Sequence, residues 1–353
     1  MSINNRFSKR IQRIPSDILD KIDLIDNLKN QWISGAKLDT QILGQLKRSV
    51  LVTSTGASTR IEGAKLSDED VERLIKGITI QKFSDRDQQE VKGYYELLTN
   101  IFTNYKSIPF SESTIKFFHR ELLKYVQKDE LHRGEYKKKE NQVQMVDTLG
   151  QSMGILFDTT KAYLTPKEMQ ELVEWTQLAF MEKTFHPILI IGNFIVEFLN
   201  IHPFEDGNGR LSRVLTNLLL LQNGYEYMPY ISHEKLIEDN KPQYYLALRQ
   251  SQKTFRSEKE DISAWLKFFL EILLEQSQKA VELLSKEQTE KLLSKQQRLI
   301  WEYIQKSKEA TPAEIAEATK IPRPTINQAL VKLLKLKRIE KLGVGRGTRY
   351  RKI

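Results

Sequence analysis

Residues 201–213 read Ile201-His202-Pro203-Phe204-Glu205-Asp206-Gly207-Asn208-Gly209-Arg210-Leu211-Ser212-Arg213. An apolar run from Pro187 to Leu199 leads in, and another from Leu211 to Leu221 leads out. The pattern predicts a buried helix, a polar loop and a second buried helix. A glycine-rich loop opening onto a helix N-terminus presents backbone N–H groups to an anion, and arginines beside it favour phosphate. Asn208 between Gly207 and Gly209 suits a tight turn. Arg210 and Arg213, at i and i+3, share one face of the following helix. Their two guanidinium forks suit the oxygens of a di- or triphosphate. Asp206 offers a hard carboxylate oxygen to Mg²⁺. His202, with an ordinary pKa of about 6.5, can take a proton from a hydroxyl attacking phosphorus. A purely structural reading stands beside this one: a loop between buried helices, with His202 as a cap and the arginines in salt bridges.

Composition narrows the field. The 353 residues are 40% hydrophobic and 29% charged and include no cysteine, so disulfides, thiolate metal sites and cysteine nucleophiles are excluded. The five histidines, at 119, 132, 186, 202 and 233, lack zinc-ligand spacing. The N-terminus has no apolar signal segment and no 18-residue uncharged apolar run occurs, so a cytoplasmic protein without membrane contact is expected. The net charge of +9 is uneven: residues 295–353 hold 15 Lys and Arg against 5 Glu, leaving about −1 for the rest. A localised basic segment points to an acidic partner, nucleic acid first.

Amphipathic helical periods dominate, over Ser16–Leu28, Asp39–Thr53, Ser67–Gly77, Asp85–Phe102, Ser111–Val126 and Pro166–Thr184. Ser67 and Thr165 are read as N-caps. The helical period vanishes between Leu131 and Thr160, where alternation around Val143 and Met145 predicts a short hairpin or flap. His233–Gln252 reads as one helix, Asp261–Leu283 as another with Trp265, Phe268 and Phe269 in the core, and Glu282–Leu293 as a connecting helix or linker. In the last sixty residues, helices are expected over Gln296–Ser307, from Thr311-Pro312 to Ala318, and from a Thr325 cap to about Lys335. A hairpin follows, Arg338–Leu342 and Thr348–Lys352 around a glycine-rich turn. Three helices and a basic two-stranded wing describe a winged helix-turn-helix, whose expected partner is double-stranded DNA; a winged helix used for protein contacts, with its basic face solvated, is the other reading. Arg323, Thr325, Asn327 and Gln328 suit base edges or phosphates, and Arg346, Arg349, Arg351 and Lys352 suit the backbone or minor groove.

The motif H-x-F-x-[DE]-G-N-G-R-x-x-R is met at all eight specified positions, His202 to Arg213, a match with a chance probability on the order of 10⁻⁸. On these residues the chain resembles the Fic family over roughly Phe110 to Phe255. The resemblance implies a mainly helical core with a short hairpin flap, and transfer of AMP from ATP to a Ser, Thr or Tyr hydroxyl of a target protein, the chain itself included. It implies His202 as general base, Phe204 as the loop's anchor and Asp206 as the Mg²⁺ ligand. Gly207, Asn208 and Gly209 would hold the α- and β-phosphates, with Arg210 and Arg213 on the phosphates. Tyr245 resembles a tyrosine that contacts adenine, and the Val143–Met145 strand resembles the flap that docks the target by β-augmentation. The intact Gly-Asn-Gly-Arg loop favours AMP transfer over the family's kinase-like branch. Ser58-Thr59-Arg60-Ile61-Glu62-Gly63 fits the family's inhibitory pattern [ST]-x-x-x-E-[GN]. It implies that Ser58, Glu62 and Gly63 belong to an inhibitory helix whose Glu62 takes Arg213 from the γ-phosphate. Homodimerisation is compatible with the resemblance.

Expected domains are thus 1–109 with the inhibitory helix, 110–257 catalytic, 258–293 connecting, and 294–353 winged helix. Two other functions fit the same residues: a nucleotide-sensing DNA-binding regulator, and a hydrolase removing AMP with Glu62 positioning water.

Overall fold

The computed structural model describes residues 6–12, 14–35, 40–77, 85–146, 152–336, 338–343 and 347–353, and the backbone alone of 85, 142–146, 152–156 and 285–292. The chain divides into two compact units, Met1–Val281 and Glu282–Ile353.

The first unit is built around two helices, α8 (Pro187–Ile201) and α9 (Asn208–Gln222). Every residue of α8 from Ile188 to Ile201 is buried, as are all of α9 except Gly209 and Gln222. A helix buried on every side has no face to give to water, so it takes the centre. Around the pair lie α1 (Arg6–Gln12), α2 (Ser16–Gly35), α3 (Thr40–Ile61), α4 (Asp68–Ile75), α5 (Asp85–Asn104), α6 (Glu112–Leu122) and α7 (Thr165–Glu182). Further along come α10 (His233–Asp239), α11 (Lys241–Gln252) and α12 (Ser263–Leu292), the last of which carries the division between the units. Trp265, Phe268 and Phe269 of α12 are in the core. Strands β1 (Gln142–Val146) and β2 (Ser152–Asp158) form an antiparallel hairpin with Gln142 opposite Asp158. Its tip, including Thr148-Leu149-Gly150, lies outside the described residues.

Several boundaries differ from the sequence reading for local reasons. Helix α2 runs on to Gly35 and α3 to Ile61, where Gly63 ends it. Ser67 does cap α4, in a reciprocal box with Asp70. Thr165 is no cap: a 3₁₀ turn, Ala162–Leu164, runs directly into α7, and the Thr165 hydroxyl donates back to Lys161 O at 3.1 Å. His233–Gln252 is two helices, broken at Asn240 ahead of Pro242. The two segments expected over Asp261–Leu293 are one helix.

Helix α1 docks through charge. Arg10 Nη1 lies 2.7 Å from Glu197 Oε2 and 2.8 Å from Glu260 Oε1, its Nε donates to Asn193 Oδ1 at 2.5 Å, and Arg6 also pairs with Glu197. Burial works against the charge on Glu197, yet Arg10 and Arg6 hold its pKa below the ordinary carboxyl value.

The second unit has α13 (Lys295–Lys306), α14 (Pro312–Thr319), α15 (Arg323–Lys335) and an antiparallel pair, β3 (Ile339–Leu342) and β4 (Arg349–Lys352). Ile300, Ile304, Ile315, Ile326, Leu330 and Leu333 fill its core. Thr311 caps α14, but Thr325 lies inside α15, which begins at Arg323 after Pro322. Pro324 is accommodated because first-turn N–H groups have no intrahelical partner.

Arg10→Ala would leave the fully buried Glu197 carboxylate with only the partly exposed Arg6. The expected cost is about 3–5 kcal/mol, read as a lowered urea midpoint; an unchanged midpoint would contradict this account of α1.

Candidate functional site

Helix α8 ends and α9 begins at one point in the interior, and the site is their meeting place. His202 caps α8 in the left-handed region, φ +51°. Gly207, φ +77°, starts α9 with no side-chain cap, so the first amides of a buried helix face the site. Asn208 closes the loop between them. Its Oδ1 accepts from Phe204 N–H at 3.0 Å and its Nδ2 donates to Phe204 O at 2.8 Å. That side chain is therefore spent on the loop, and Asn208 offers an anion its backbone alone. Phe204 is fully buried, its ring stacked 3.9 Å from His119.

His202 Nδ1 lies 3.3 Å from Leu199 O. A carbonyl can only accept, so that nitrogen carries the proton and Nε2 keeps its lone pair. Burial pushes the imidazole down to about 4, helped by the Lys137 charge, so the ring is neutral at pH 7. His119 is also drawn to about 4 by burial. Its Nδ1 accepts from Gly134 N–H at 2.9 Å, so Nε2 donates to Asp206 O at 3.0 Å.

Asp206 Oδ2 takes two cations, Arg86 Nη2 at 2.6 Å and Arg210 Nη2 at 3.0 Å. Burial would raise this carboxyl, but Arg210, the Gly207 N–H and Arg86 hold it below its ordinary value. Arg210 Nη1 lies 2.6 Å from Glu90 Oε2, and Arg86 reaches Glu90 and Asp129 as well. A cation therefore already stands against the carboxylate expected to hold Mg²⁺, and the charge of Arg210 is shared with Glu90.

Arg213 is held by α3. Its Nε donates to Ser58 Oγ at 2.8 Å, and its Nη2 donates to Ser58 O at 2.9 Å and Glu62 Oε1 at 2.7 Å. Burial opposes its charge, yet Glu62 leaves its pKa raised. Ser58 and Glu62 lie one turn apart and so share a face. Glu62 is the last residue of a Schellman end: Gly63 N–H donates to Arg60 O and Ala64 N–H to Thr59 O, both at 3.1 Å, with Gly63 at φ +105°. Glycine after the glutamate is thus what turns the chain and leaves the carboxylate at the site. A methyl group on Gly209 would collide with Glu62 Oε1, so this carboxylate fills the space over the start of α9. Tyr245 is partly buried against the same segment, its hydroxyl 3.4 Å from Ile61 O.

The sequence reading missed Arg86, Glu90, His119, Lys137 and Asn141. Their side chains reach the loop from α5, α6 and the hairpin stem, with no shared spacing to reveal them. Arg346 lies outside the described residues, as do the side chains of Val143 and Met145. Among the described residues, no three acidic or histidine side chains cluster as a metal cage.

A neutral histidine thus stands beside a buried, uncapped helix start, with arginines and one carboxylate around it. Residues 109–220 match the model of the Fic/DOC family, and the chain carries a Fic domain. It is 34% identical over 84 residues to a probable protein adenylyltransferase of Aquifex aeolicus, covering 24% of this chain and 25% of that one. It is 33% identical over 85 residues to a Fido domain-containing protein of Dictyostelium discoideum, covering 22% and 57%. The chain thus spans a quarter and just over half of these relatives. A Fic domain-containing signaling protein from Bacteroides thetaiotaomicron superposes with a TM-score of 0.62 at 25% identity, over 74% of this chain and 97% of that one. A Fic family protein from Desulfovibrio desulfuricans shares the fold over 97% of both chains, with a TM-score of 0.63 at 21% identity.

The two depressed histidines set a pH dependence. The unfolded chain protonates them near 6.5, the folded chain only near 4, so acid favours unfolding. The urea midpoint should hold from pH 8 to 7 and fall as pH drops from about 6.5 toward 4. His119→Gln should make the decline shallower; an equally steep decline in that variant would remove His119 from the account.

Proposed function

We propose that the protein is a self-inhibited protein adenylyltransferase, moving AMP from ATP to a Ser, Thr or Tyr hydroxyl of a target protein. The observation that carries this is the pairing of Arg213 with Glu62, 2.7 Å apart at the mouth of an anion-binding helix start, with the neutral His202 alongside. A carboxylate fills the space above Gly209, so the cradle accepts an anion, and guanidinium cations stand against Asp206, so that carboxylate accepts a cation.

In transfer, the amides of Gly207 to Gly209 and the Arg210 and Arg213 guanidinium groups hold the phosphates, with Tyr245 toward adenine. His202 Nε2 takes the proton of the target hydroxyl as its oxygen bonds to the α-phosphorus. The bond from that phosphorus to the β-bridging oxygen breaks, and pyrophosphate leaves. Mg²⁺, held by Asp206 and phosphate oxygens, would neutralise phosphate charge. Each hairpin strand pairs only with the other among the described residues, which leaves an edge for an extended target segment. Arg213 can serve Glu62 or the γ-phosphate but not both, which is the inhibition.

With labelled ATP and Mg²⁺, Glu62→Gly should raise transfer at least about tenfold, the worth of a charge-assisted contact. His202→Ala should abolish transfer while nucleotide still binds. Since His202 must be neutral, the rate should hold down to about pH 5 and fall toward 4. Equal labelling in wild type and Glu62→Gly would sink the inhibition. No labelling in any variant would favour a nucleotide-sensing regulator, and Glu62-dependent release of AMP from a modified target would favour the hydrolase.

For the second unit we propose a winged helix that binds double-stranded DNA. Arg323, Asn327, Gln328 and Val331 are exposed along α15, with Thr325 partly so, a face of hydrogen-bonding groups and one methyl-bearing side chain. On β4, Arg349 lies 3.9 Å from Glu309 and Arg351 2.5 Å from Glu340, so part of the wing's charge is already paired. Affinity for duplex DNA should fall steeply with salt, and Asn327→Ala should cost about 1–3 kcal/mol on the preferred site. Binding that ignores salt would overturn the reading.

A further inference from the structure

Four consecutive carbonyls, Ile201 to Phe204, accept from two residues of the hairpin stem. Lys137 Nζ donates to Ile201 O at 3.0 Å and Lys137 N–H to Pro203 O at 2.9 Å. Asn141 Nδ2 donates to His202 O at 3.3 Å and to Phe204 O at 2.9 Å. The other two protons of the Lys137 ammonium go to Asn141 Oδ1 at 2.7 Å and Thr159 Oγ1 at 2.8 Å. Asn141 immediately precedes β1 and Thr159 immediately follows β2. Thr160 N–H adds a bond to Asn200 O at 3.3 Å, so both legs of the hairpin are hooked to the end of α8.

We propose that Lys137, with Asn141 and Thr159, positions His202 by tying the stem of the hairpin to the loop that aims the imidazole. The proposal rests on His202 being the base of the transfer reaction. The left-handed conformation of His202 costs on the order of 1–2 kcal/mol and persists only where its surroundings over-determine it. Holding the carbonyls on both sides of it does that. The lysine is an expensive way to hold carbonyls: it is buried and has no ion pair with a carboxylate among the described residues. Burial draws its pKa down to about 8. It is the first of three consecutive lysines, and the other two are exposed. A neutral donor would serve packing at less cost, whereas three radiating N–H bonds from one point join three separate backbone segments. The hairpin and the base consequently move as one body, so an acceptor strand added to the hairpin is delivered in register with His202.

The test uses the full chain carrying Glu62→Gly, with Lys137→Met to remove the three donors at similar length, Lys137→Arg as the conservative change, and Thr159→Val as a milder cut. Lys137→Met should lower kcat about 10- to 100-fold, with dissociation of a non-hydrolysable ATP analogue changed less than about twofold. The ring signals of isotope-labelled His202 should shift or broaden, and amides of β1 and β2 should exchange faster. Lys137→Arg should restore part of each, and Thr159→Val should move each in the same direction by less, which settles the matter if Lys137→Met does not fold. An unchanged His202 signal and unchanged hairpin exchange in a folded variant would overturn the proposal. The ring signals and exchange do not need turnover: if Glu62→Gly fails to transfer AMP, the adenylyltransferase reading falls while these still decide whether the stem holds His202.

Discussion

Two helices with no water-facing side meet end to start in the interior, and the backbone there must still be satisfied. The last carbonyls of α8 have no intrahelical partner, nor do the first amides of α9. Donors from the hairpin stem meet the last two helix carbonyls, Thr160 N–H on Asn200 and Lys137 Nζ on Ile201, and Lys137 and Asn141 go on to the loop carbonyls of His202, Pro203 and Phe204. At the amide end the Glu62 carboxylate lies over Gly209. The hairpin stem, the left-handed His202 and the carboxylate over the start of α9 are three answers to one constraint.

Charge around that point is balanced within the protein. Arg213 has Ser58 and Glu62, Arg210 has Glu90 and Asp206, and Asp206 also has Arg86. A buried guanidinium left alone would be costly, so removing one partner demands another of the same sign. In the proposed reaction a polyphosphate would offer Arg213 negative oxygens in place of Glu62, and a divalent ion would offer Asp206 a cation in place of Arg86. Such an exchange would leave no charge bare. The Schellman turn at Gly63 makes this possible, since it ends α3 with the glutamate at the site.

The turn at Gly63, the helix end at His202 and the glycine-rich loop were legible because each is formed by neighbours in sequence. A helix end, a left-handed turn and an i, i+3 arginine pair are local objects. The helical class and the hairpin were legible too, from the period and its loss. Neither Thr325 nor Thr165 is a cap, because α15 starts three residues earlier, after Pro322, and α7 one residue earlier, straight from a 3₁₀ turn.

By itself the sequence determined the motif, the two apolar helices and the basic C-terminal segment, because these depend on residue types at fixed short spacings. Only the tertiary structure decided what each charge faces. It turned the Asn208 side chain inward, set Arg86 on Asp206, placed neutral His119 under the loop, and buried one lysine of three in a row against the carbonyls on either side of His202. These partners come from separate helices and strands. Packing chooses among them by burial and unmet hydrogen bonds, which no spacing along the chain records.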